Sequence, residues 1–473
     1  MSTDEGNGTK VLKIEFCEGV DAEIKDLEFK ECTKIKRIEI PSSIKVIGHS
    51  AFMFCTQLME VKLCEGLTDI KESAFNGCAS LKSIEIPSTV KVIGDRAFRE
   101  CTQLMEVKLC EGLTDIKGAA FYGCTSMKSI EIPSTVKVIG HSAFQDCYEL
   151  MELVDVELHE GLETIGRDAF FECTSLQRIK IPSTVTSIHW TAFDACSQLS
   201  NVECSDEIEE QISLFSAKLC EGLTDINDSA FRDCTSLKSI KIPSTVKVIE
   251  HSAFRECTQL MKAKLCEGLT DIKDAAFSHC TSLKSIEIPS TVKVIGDSAF
   301  RECTQLMKAK LCEGLTDIKD YAFCDCTSLK SIEIPSAVNE IGIGAFARCT
   351  QLMKVKLCEG LTDIDDSAFD GCASLKSIEI PSTAKVIGHC AFRECTQLME
   401  VKLEGLNGLE NIKRQAFAKC TALGMIQLPC SVKMIGKQAF HGCTQLVDVG
   451  LETIGRDEGL ETIGRDEILN FQQ

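Results

Sequence analysis

Aromatic residues other than phenylalanine are nearly missing from this sequence, which has one tryptophan and three tyrosines in 473 residues against 23 phenylalanines. Long apolar runs are missing too, and no stretch approaches the roughly 18 residues that a membrane-spanning helix needs. The N-terminus, MSTDEGNGTK, is polar and lacks the apolar segment of a secretory signal. The sequence therefore predicts a cytoplasmic protein without a membrane span.

Basic residues are in deficit. Lysine and arginine number 51 against 71 aspartates and glutamates, which gives a formal net charge of −20. A protein whose main task is to hold phosphate backbones needs a dense basic surface, so we do not expect nucleic acid as a partner. The share of hydrophobic residues, 44%, is that of a folded protein.

Signatures of catalysis are also missing. The sequence contains no phosphate-binding glycine loop, no H-E-x-x-H or G-x-S-x-G motif and no kinase signature. Its acidic residues and cysteines recur in rows, whereas a catalytic pair would be singular. One recurring histidine position has members several strands apart, too far to share a metal with Zn–N bonds of about 2.0 Å. We therefore expect no enzyme, cofactor or metal. The histidines at this position are His49, His141, His251 and His389.

The phenylalanines mark an internal repeat. From Phe29 to Phe144, and again from Phe231 to Phe392, one phenylalanine follows another every 23 residues. Insertions of 3, 15 and 2 residues interrupt this spacing elsewhere, and the repeat occurs about 18 times. Copies of the SLKSIEIPSTVKVIG kind alternate with copies of the TQLMEVKLCEGLTDI kind, so the true period is 46 residues.

One repeat, residues 81–103, reads LKSIEIPSTVKVIGDRAFRECTQ. Ile84 and Ile86 share one face of a short strand that Pro87 ends. A second short apolar segment follows, Gly94 turns the chain, and Asp95 is placed to cap a helical turn. That turn would carry Ala97, Phe98 and Cys101 inward. A single repeat cannot cover these side chains, so it must stack on its neighbours.

The 29 cysteines follow the same repeat. Most lie three residues after a phenylalanine, and seven more follow a strand-like segment. One thiol at a fixed place in each repeat is typical of a column of small buried side chains. We therefore expect reduced, packed thiols rather than a disulfide framework or zinc sites.

The L-x-x-I-x-I strand, the I-P step, V-x-x-I-G and the A-F-x-x-C turn together resemble the BspA-like class of leucine-rich repeats. The resemblance covers about residues 11–449, between a polar N-terminal tail (1–10) and a degenerate C-terminal repeat or tail (450–473). It implies a right-handed solenoid with a parallel sheet on the concave side and short helical turns or second strands on the convex side. Members of that family are typically surface or secreted proteins that bind other proteins, and many are adhesins.

The joint between Phe193 and Phe231 contains the main irregularity. Either Leu199–Cys204 or Leu214–Cys220 supplies the ninth strand, and we favour the second because it matches the equivalent segment in the next copy. The excess then lies at about residues 200–213. Long insertions in solenoids often bind partners, although a solvated acidic loop is the commoner outcome. The acidic candidates are Asp206, Glu207, Glu209 and Glu210.

Two outward columns accompany the strands. In one, lysine alternates with glutamate from Lys62 to Glu131 and from Lys264 to Lys402, which predicts a self-neutralising ladder. In the other, methionine alternates with lysine, and each methionine either offers an adaptable contact for a protein partner or packs against the neighbouring lysine stem. The candidate contact residues are Met59, Met105, Met261, Met307, Met353 and Met399.

Together these features predict a non-enzymatic scaffold that binds protein partners through its concave and lateral surfaces. The alternative is a secreted or cell-surface adhesin that binds host or matrix proteins or glycans. Neither end of the array shows a polar cap, and exposed sheet edges favour self-association through the solenoid ends.

Overall fold

The computed structural model describes residues 11–13, 23–150, 158–204, 219, 222–403 and 408–451. The chain divides into an N-terminal region, Met1–Thr245, and a C-terminal region, Val246–Gln473. Each region is described by itself. The described residues contain strands and turns but no helix, and none of their segments is a helix that could cross a membrane.

Each repeat contributes a longer primary strand and a two-residue secondary strand. The primary strands of the N-terminal region are Val11–Lys13, Arg37–Glu39, Glu60–Lys62, Ser83–Glu85, Glu106–Lys108, Ser129–Ile130, Arg178–Ile181, Asn201–Cys204 and Ser239–Lys241. Its secondary strands are Glu23–Ile24, Val46–Ile47, Asp69–Ile70, Val92–Ile93, Asp115–Ile116, Val138–Ile139, Thr164–Ile165, Ser187–Ile188 and Asp225–Ile226.

The C-terminal region repeats this arrangement. Its primary strands are Lys262–Lys264, Ser285–Glu287, Lys308–Lys310, Ser331–Glu333, Lys354–Lys356, Ser377–Glu379, Glu400–Lys402, Met425–Leu428 and Asp448–Leu451. Its secondary strands are Val248–Ile249, Asp271–Ile272, Val294–Ile295, Asp317–Ile318, Glu340–Ile341, Asp363–Ile364, Val386–Ile387, Asn411–Ile412 and Met434–Ile435.

All strand pairs within each region are parallel and join equivalent positions of successive repeats. Ser83 lies opposite Glu106 in the primary sheet, and Asp69 lies opposite Val92 in the secondary sheet. A constant repeat length keeps this register without adjustment, because each turn of the chain returns to the same place one strand further on. The predicted parallel solenoid is confirmed, and the strands opposite the primary sheet are second strands rather than helices.

The core follows from the alternation within each primary strand. Ile84 and Ile86 are 3% and 0% exposed, whereas Ser83 and Glu85 between and before them face solvent. Behind the strands the phenylalanines form a column of parallel rings, with successive centroids between 5.1 and 5.6 Å apart. Each repeat therefore buries its apolar side chains against the same side chains of its neighbours, as the sequence predicts.

The A-F-x-x-C segment does not form the predicted helical turn. Arg96 and Glu100 have φ angles of 55° and 57°, the left-handed region that a right-handed helix excludes. Their amides, with that of Phe98, donate to the next repeat: Phe98 N lies 2.8 Å from the Ala120 oxygen, and Glu100 N lies 2.7 Å from the Tyr122 oxygen. A helix would keep these donors within its own segment. In this segment every second amide instead donates a hydrogen bond to the neighbouring repeat.

Two turn residues also act differently from the prediction. Asp95 caps no helix, because its Oδ1 accepts a hydrogen bond of 3.0 Å from the Gly118 amide of the next repeat. Gly94 is needed for close approach rather than for a turn, since a Cβ there would lie 2.6 Å from the carbonyl carbon of Lys71. Both residues fasten one repeat to the next.

The loop predicted for the earlier segment of the irregular joint is wrong. Asn201–Cys204 is a strand that pairs in register with Arg178–Ile181 of the preceding repeat. The later, favoured segment contains Leu219, whose amide donates to the Lys241 oxygen of the following repeat at 3.2 Å. The residues between these two points, 205–218, lie outside the described residues.

Candidate binding surface

Each primary strand presents three outward positions, which we call the first, second and third columns. In the repeat that begins at Leu81 these are Lys82, just before the strand, and then Ser83 and Glu85. All three are exposed, while Ile84 between the last two is buried. Because the strands are parallel and in register, each column runs across the sheet with one side chain from every repeat.

The third column contains the predicted ladder of lysine and glutamate. Lys62 Nζ lies 2.8 Å from Glu39 Oε1, and Lys108 Nζ lies 2.5 Å from Glu85 Oε1. In the C-terminal region Lys310 and Glu287 form the equivalent ion pair, as do Lys356 and Glu333. In these pairs the glutamate belongs to the proline-containing repeat and the lysine to the repeat that follows.

These ion pairs are exposed, so each is expected to contribute little stability. The hydrogen bond and charge of Glu39 raise the pKa of Lys62 above its ordinary value. In the same way Lys310 lowers the pKa of Glu287. The lysine and glutamate charges cancel within the ladder, so the third column has no strong electrostatic field in either region.

The first column brings the candidate methionines together with lysines. The Met105 amide donates to the Lys82 oxygen at 2.9 Å, and the Met307 amide donates to the Lys284 oxygen at 2.9 Å. Met59 is half-buried. The remaining candidates are exposed by 37 to 56%, namely Met105, Met261, Met307, Met353 and Met399. The methionine side chains therefore face outward at regular intervals beside the primary strands.

The second column differs between the two regions in most repeats, and sequence reasoning missed it. In the N-terminal region the column carries Glu60 and Glu106 in the EVK strands. In the C-terminal region the same position carries lysine in the KAK and KVK strands and glutamate again in one EVK strand, at Glu400. The lysines are Lys262, Lys308 and Lys354. A comparison of the LMEVK and LMKAK copies at this one position would have found the change of sign.

The acidic candidates of the joint, Asp206, Glu207, Glu209 and Glu210, lie outside the described residues. The joint does contain a buried carboxyl that the sequence did not single out. Asp194 has a fully buried side chain and pairs with Arg232 at 2.9 Å. Burial raises the pKa of Asp194 to about 6, against the opposing charge of Arg232. Nothing in the sequence distinguishes Asp194 from the half-buried polar residues at the same place in other repeats, such as Arg99 and Asp370.

The cysteines of the A-F-x-x-C turn are buried free thiols. Each packs behind the phenylalanine column and donates to the carbonyl of the phenylalanine one repeat earlier, as Cys101 Sγ does to the Phe75 oxygen at 3.3 Å. Burial raises the pKa of Cys55 to about 11 and that of Cys101 well above its ordinary value. A thiol that stays protonated is a poor nucleophile and a poor metal ligand.

Histidine, cysteine and carboxylate side chains do not assemble into a metal site in the described part of the chain, where no three of them are grouped suitably. The four histidines of the shared repeat position lie in separate places along the ladder. His251 Nδ1 lies 3.3 Å from Asp274 Oδ2, and the His49 amide donates to Asp26 Oδ1 at 2.7 Å. These contacts join neighbouring repeats.

Comparison with known families gave a match to the BspA type leucine rich repeat region (6 copies), over residues 22–151, 148–226, 224–342 and 316–447. None of the curated proteins matches the chain. Among solved structures, a leucine-rich repeat protein from Bacteroides ovatus is 28% identical, with a TM-score of 0.59 over 79% of this chain and 87% of that chain. A leucine-rich repeat protein from Eubacterium ventriosum is 22% identical, with a TM-score of 0.41 over 76% and 83%.

Proposed function

Because the chain belongs to the BspA-type leucine-rich repeat family, we propose that it is a non-enzymatic scaffold that binds other proteins through the outward face of its primary strands. The observation that carries this proposal is the set of three exposed columns, in which methionine, lysine, serine and glutamate recur in register on a rigid sheet. Such a surface offers many equivalent contacts along successive repeats, which suits an extended partner.

The first column gives the surface its apolar contacts. Met307, Met353 and Met399 are 45%, 46% and 56% exposed. Methionine is flexible and polarisable, so it adapts to differently shaped apolar partners. The lysines beside these methionines keep the surface soluble in the absence of a partner. An apolar contact between two charged neighbours is a common composition for a protein-binding face.

The chemistry of the core supports a role without catalysis. The A-F-x-x-C thiols lie in the core, and burial raises their pKa values in cases such as Cys55 and Cys101. The outward carboxylates of the third column are paired with lysines and recur in every second repeat. Asp194 does differ from its copies, but its side chain is fully buried and paired with Arg232, which argues for a structural role.

Site-specific photo-crosslinking tests where partners bind. A photoreactive amino acid replaces Met307 on the primary-strand face, and in a matched variant it replaces Lys293, which is exposed beside a secondary strand of the same region. After irradiation in lysate from the native source, adducts are identified by mass spectrometry. We expect defined adducts at position 307 and none at position 293.

Adducts formed only at position 293 would place the binding surface on the secondary-strand face and contradict the proposal. Equal labelling at both positions would show non-specific capture, which also contradicts it. Conversion of a small-molecule substrate by the purified chain would contradict the non-enzymatic part.

A further inference from the structure

Six lysines form a continuous row along the primary strands of the C-terminal region. The second column contributes lysine from each KAK or KVK strand, and the first column contributes lysine from each SIE repeat, so six consecutive repeats provide one cation each. All six are exposed. We call this set the lysine row, and its members are Lys262, Lys284, Lys308, Lys330, Lys354 and Lys376.

The register of the sheet sets the spacing of the row. Lys262 lies opposite Ser285, and Ser285 lies opposite Lys308. Neighbouring strands are about 4.8 Å apart, so lysines of the same column are about 10 Å apart. Each first-column lysine belongs to the repeat that lies between two repeats with second-column lysines. The two columns together therefore form a linear array of positive charge.

The row is not neutralised as its counterpart in the N-terminal region is. Among the described residues, no carboxylate lies within 4.0 Å of an amine of the row. In the N-terminal region Glu60 and Glu106 occupy the second column between Lys82 and Lys128, and Glu60 pairs with Arg37 at 3.1 Å. The fold therefore accepts either sign at this position, and the uniform charge is not a requirement of packing.

We propose that the lysine row binds an acidic polypeptide segment in an extended conformation. This rests on the proposed function and names its partner class. An extended chain advances about 3.3 Å per residue, so a carboxylate at every third residue recurs about every 10 Å and matches the lysines of one column. On a chain with a net charge of −20, the row is a local cationic site that an acidic segment can reach.

The residues between the lysines favour a polypeptide over other polyanions. Met307 and Met353 stand exposed between successive lysines of the row and offer apolar contacts. A phosphate or sulfate polymer has no apolar side chain to place there. Single-stranded nucleic acid is usually held by aromatic stacking and arginine as well as charge, and the three columns from Lys262 to Lys402 contain neither residue type.

The test measures fluorescence anisotropy of a labelled peptide of four Glu-Leu-Ser repeats against the full-length protein, with a Gln-Leu-Ser peptide as the uncharged control. The charge-reversal variant is Lys262→Glu, Lys308→Glu and Lys354→Glu together. It is expected to fold, because glutamate already occupies the same position at Glu60, Glu106 and Glu400. A matched variant changes the net charge equally at another place in the same region.

The matched variant reverses three exposed lysines that each precede a secondary strand of the same region, Lys247, Lys293 and Lys385. We expect the acidic peptide to bind the wild type and the matched variant similarly, and to bind the row variant at least about tenfold more weakly. Binding should weaken as salt shortens the screening length below about 8 Å. The Gln-Leu-Ser peptide should not bind.

If the acidic peptide binds both variants equally weakly, the change of net charge explains the loss of affinity, and the proposal is overturned. Tighter, row-dependent binding of an oligothymidylate or a heparin fragment would assign the row to another class of polymer and also overturn it. The proposed scaffold function is tested independently of the acidic partner. If partner adducts at position 307 persist in the row variant while the peptide does not bind wild type, the scaffold stands and the acidic partner is wrong.

Discussion

The N-terminal and C-terminal regions share a core but differ in the charge of one column. Phe98 and Phe300 occupy the same place in the stacked ring column, with neighbouring centroids 5.3 and 5.4 Å away. The third column is paired in both regions. In the second column, however, the glutamate of the N-terminal EVK strands is replaced by lysine in three strands of the C-terminal region, while Glu400 keeps it in another. The comparison teaches that the repeat fixes which positions face outward but leaves their charge free to serve binding.

The largest expected effect concerns the shared core. Phe98→Ala and Phe300→Ala should each destabilise the surrounding repeats by about 3–5 kcal/mol, because each removes a fully buried ring that packs between two others. Native-state hydrogen exchange of the flanking repeats measures the loss. Similar values in the two regions would confirm that their difference lies on the surface. A loss confined to one region would break the comparison.

The buried carboxyl of the irregular joint gives the N-terminal region a pH-dependent stability. The pKa of Asp194 is raised to about 6 in the folded chain, so the folded state holds this proton more tightly than the unfolded state does. The contribution of Asp194 to stability is therefore largest at low pH. The free energy of unfolding falls by roughly 2 kcal/mol as the pH rises from about 4 to about 6.

The measurement is the difference in unfolding free energy between wild type and Asp194→Asn across that pH range. The substitution should remove the fall, since asparagine does not titrate. A difference that does not change with pH would show that the carboxyl is charged throughout, held by Arg232.

The left-handed turn position should be equally sensitive in both regions. Glu256 has a φ of 62°, where a β-branched side chain is strained. Glu256→Val is expected to cost about 1–2 kcal/mol, and Glu100→Val the same. The control is Arg255→Val, which removes the same ion pair to Glu256, 3.2 Å long, but changes a residue without a positive φ. Thermal unfolding compares the three, and equal losses from Arg255→Val and Glu256→Val would argue against backbone strain.

The smallest effect concerns the third column. Lys108→Ala and Lys310→Ala each break an exposed ion pair, with Glu85 and Glu287 respectively. Each should cost between about 0.2 and 1 kcal/mol at low salt and less at high salt. Urea unfolding at two salt concentrations measures both. A salt-sensitive loss in one region only would show that the third column also distinguishes the regions.

Much of the fold could be predicted from the sequence because the packing of each repeat depends on residues in that repeat and its neighbours. The alternation at Ile84 and Ile86 specified the strand, and the spacing of phenylalanine specified the stack. The turn could not be predicted, because a segment such as Ala97–Cys101 has a helix-like pattern. Only the hydrogen bonds to the next repeat, such as that from Phe98, decide against a helix.

The strand at the irregular joint and the charge of the second column were not predicted from the sequence, for two different reasons. Leu199–Cys204 and Leu214–Cys220 both match the strand pattern, and the sequence alone does not show that Asn201–Cys204 pairs with Arg178–Ile181. The repeat pattern predicts the candidate methionines as outward residues, and Met105 and Met307 are exposed in the structure. The sign change from Glu106 to Lys308 becomes meaningful only once the sheet places them in one column.

The central claim is that the charge of the second column decides where an acidic segment binds. A full-length exchange variant tests it most directly, with Glu60→Lys and Glu106→Lys in one region and Lys262→Glu, Lys308→Glu and Lys354→Glu in the other. A photoreactive peptide of four Glu-Leu-Ser repeats is cross-linked and its attachment sites are mapped by mass spectrometry. We predict attachment near Met307 in wild type and near Met105 in the exchange variant. Attachment that stays near Met307 after the exchange would contradict the claim.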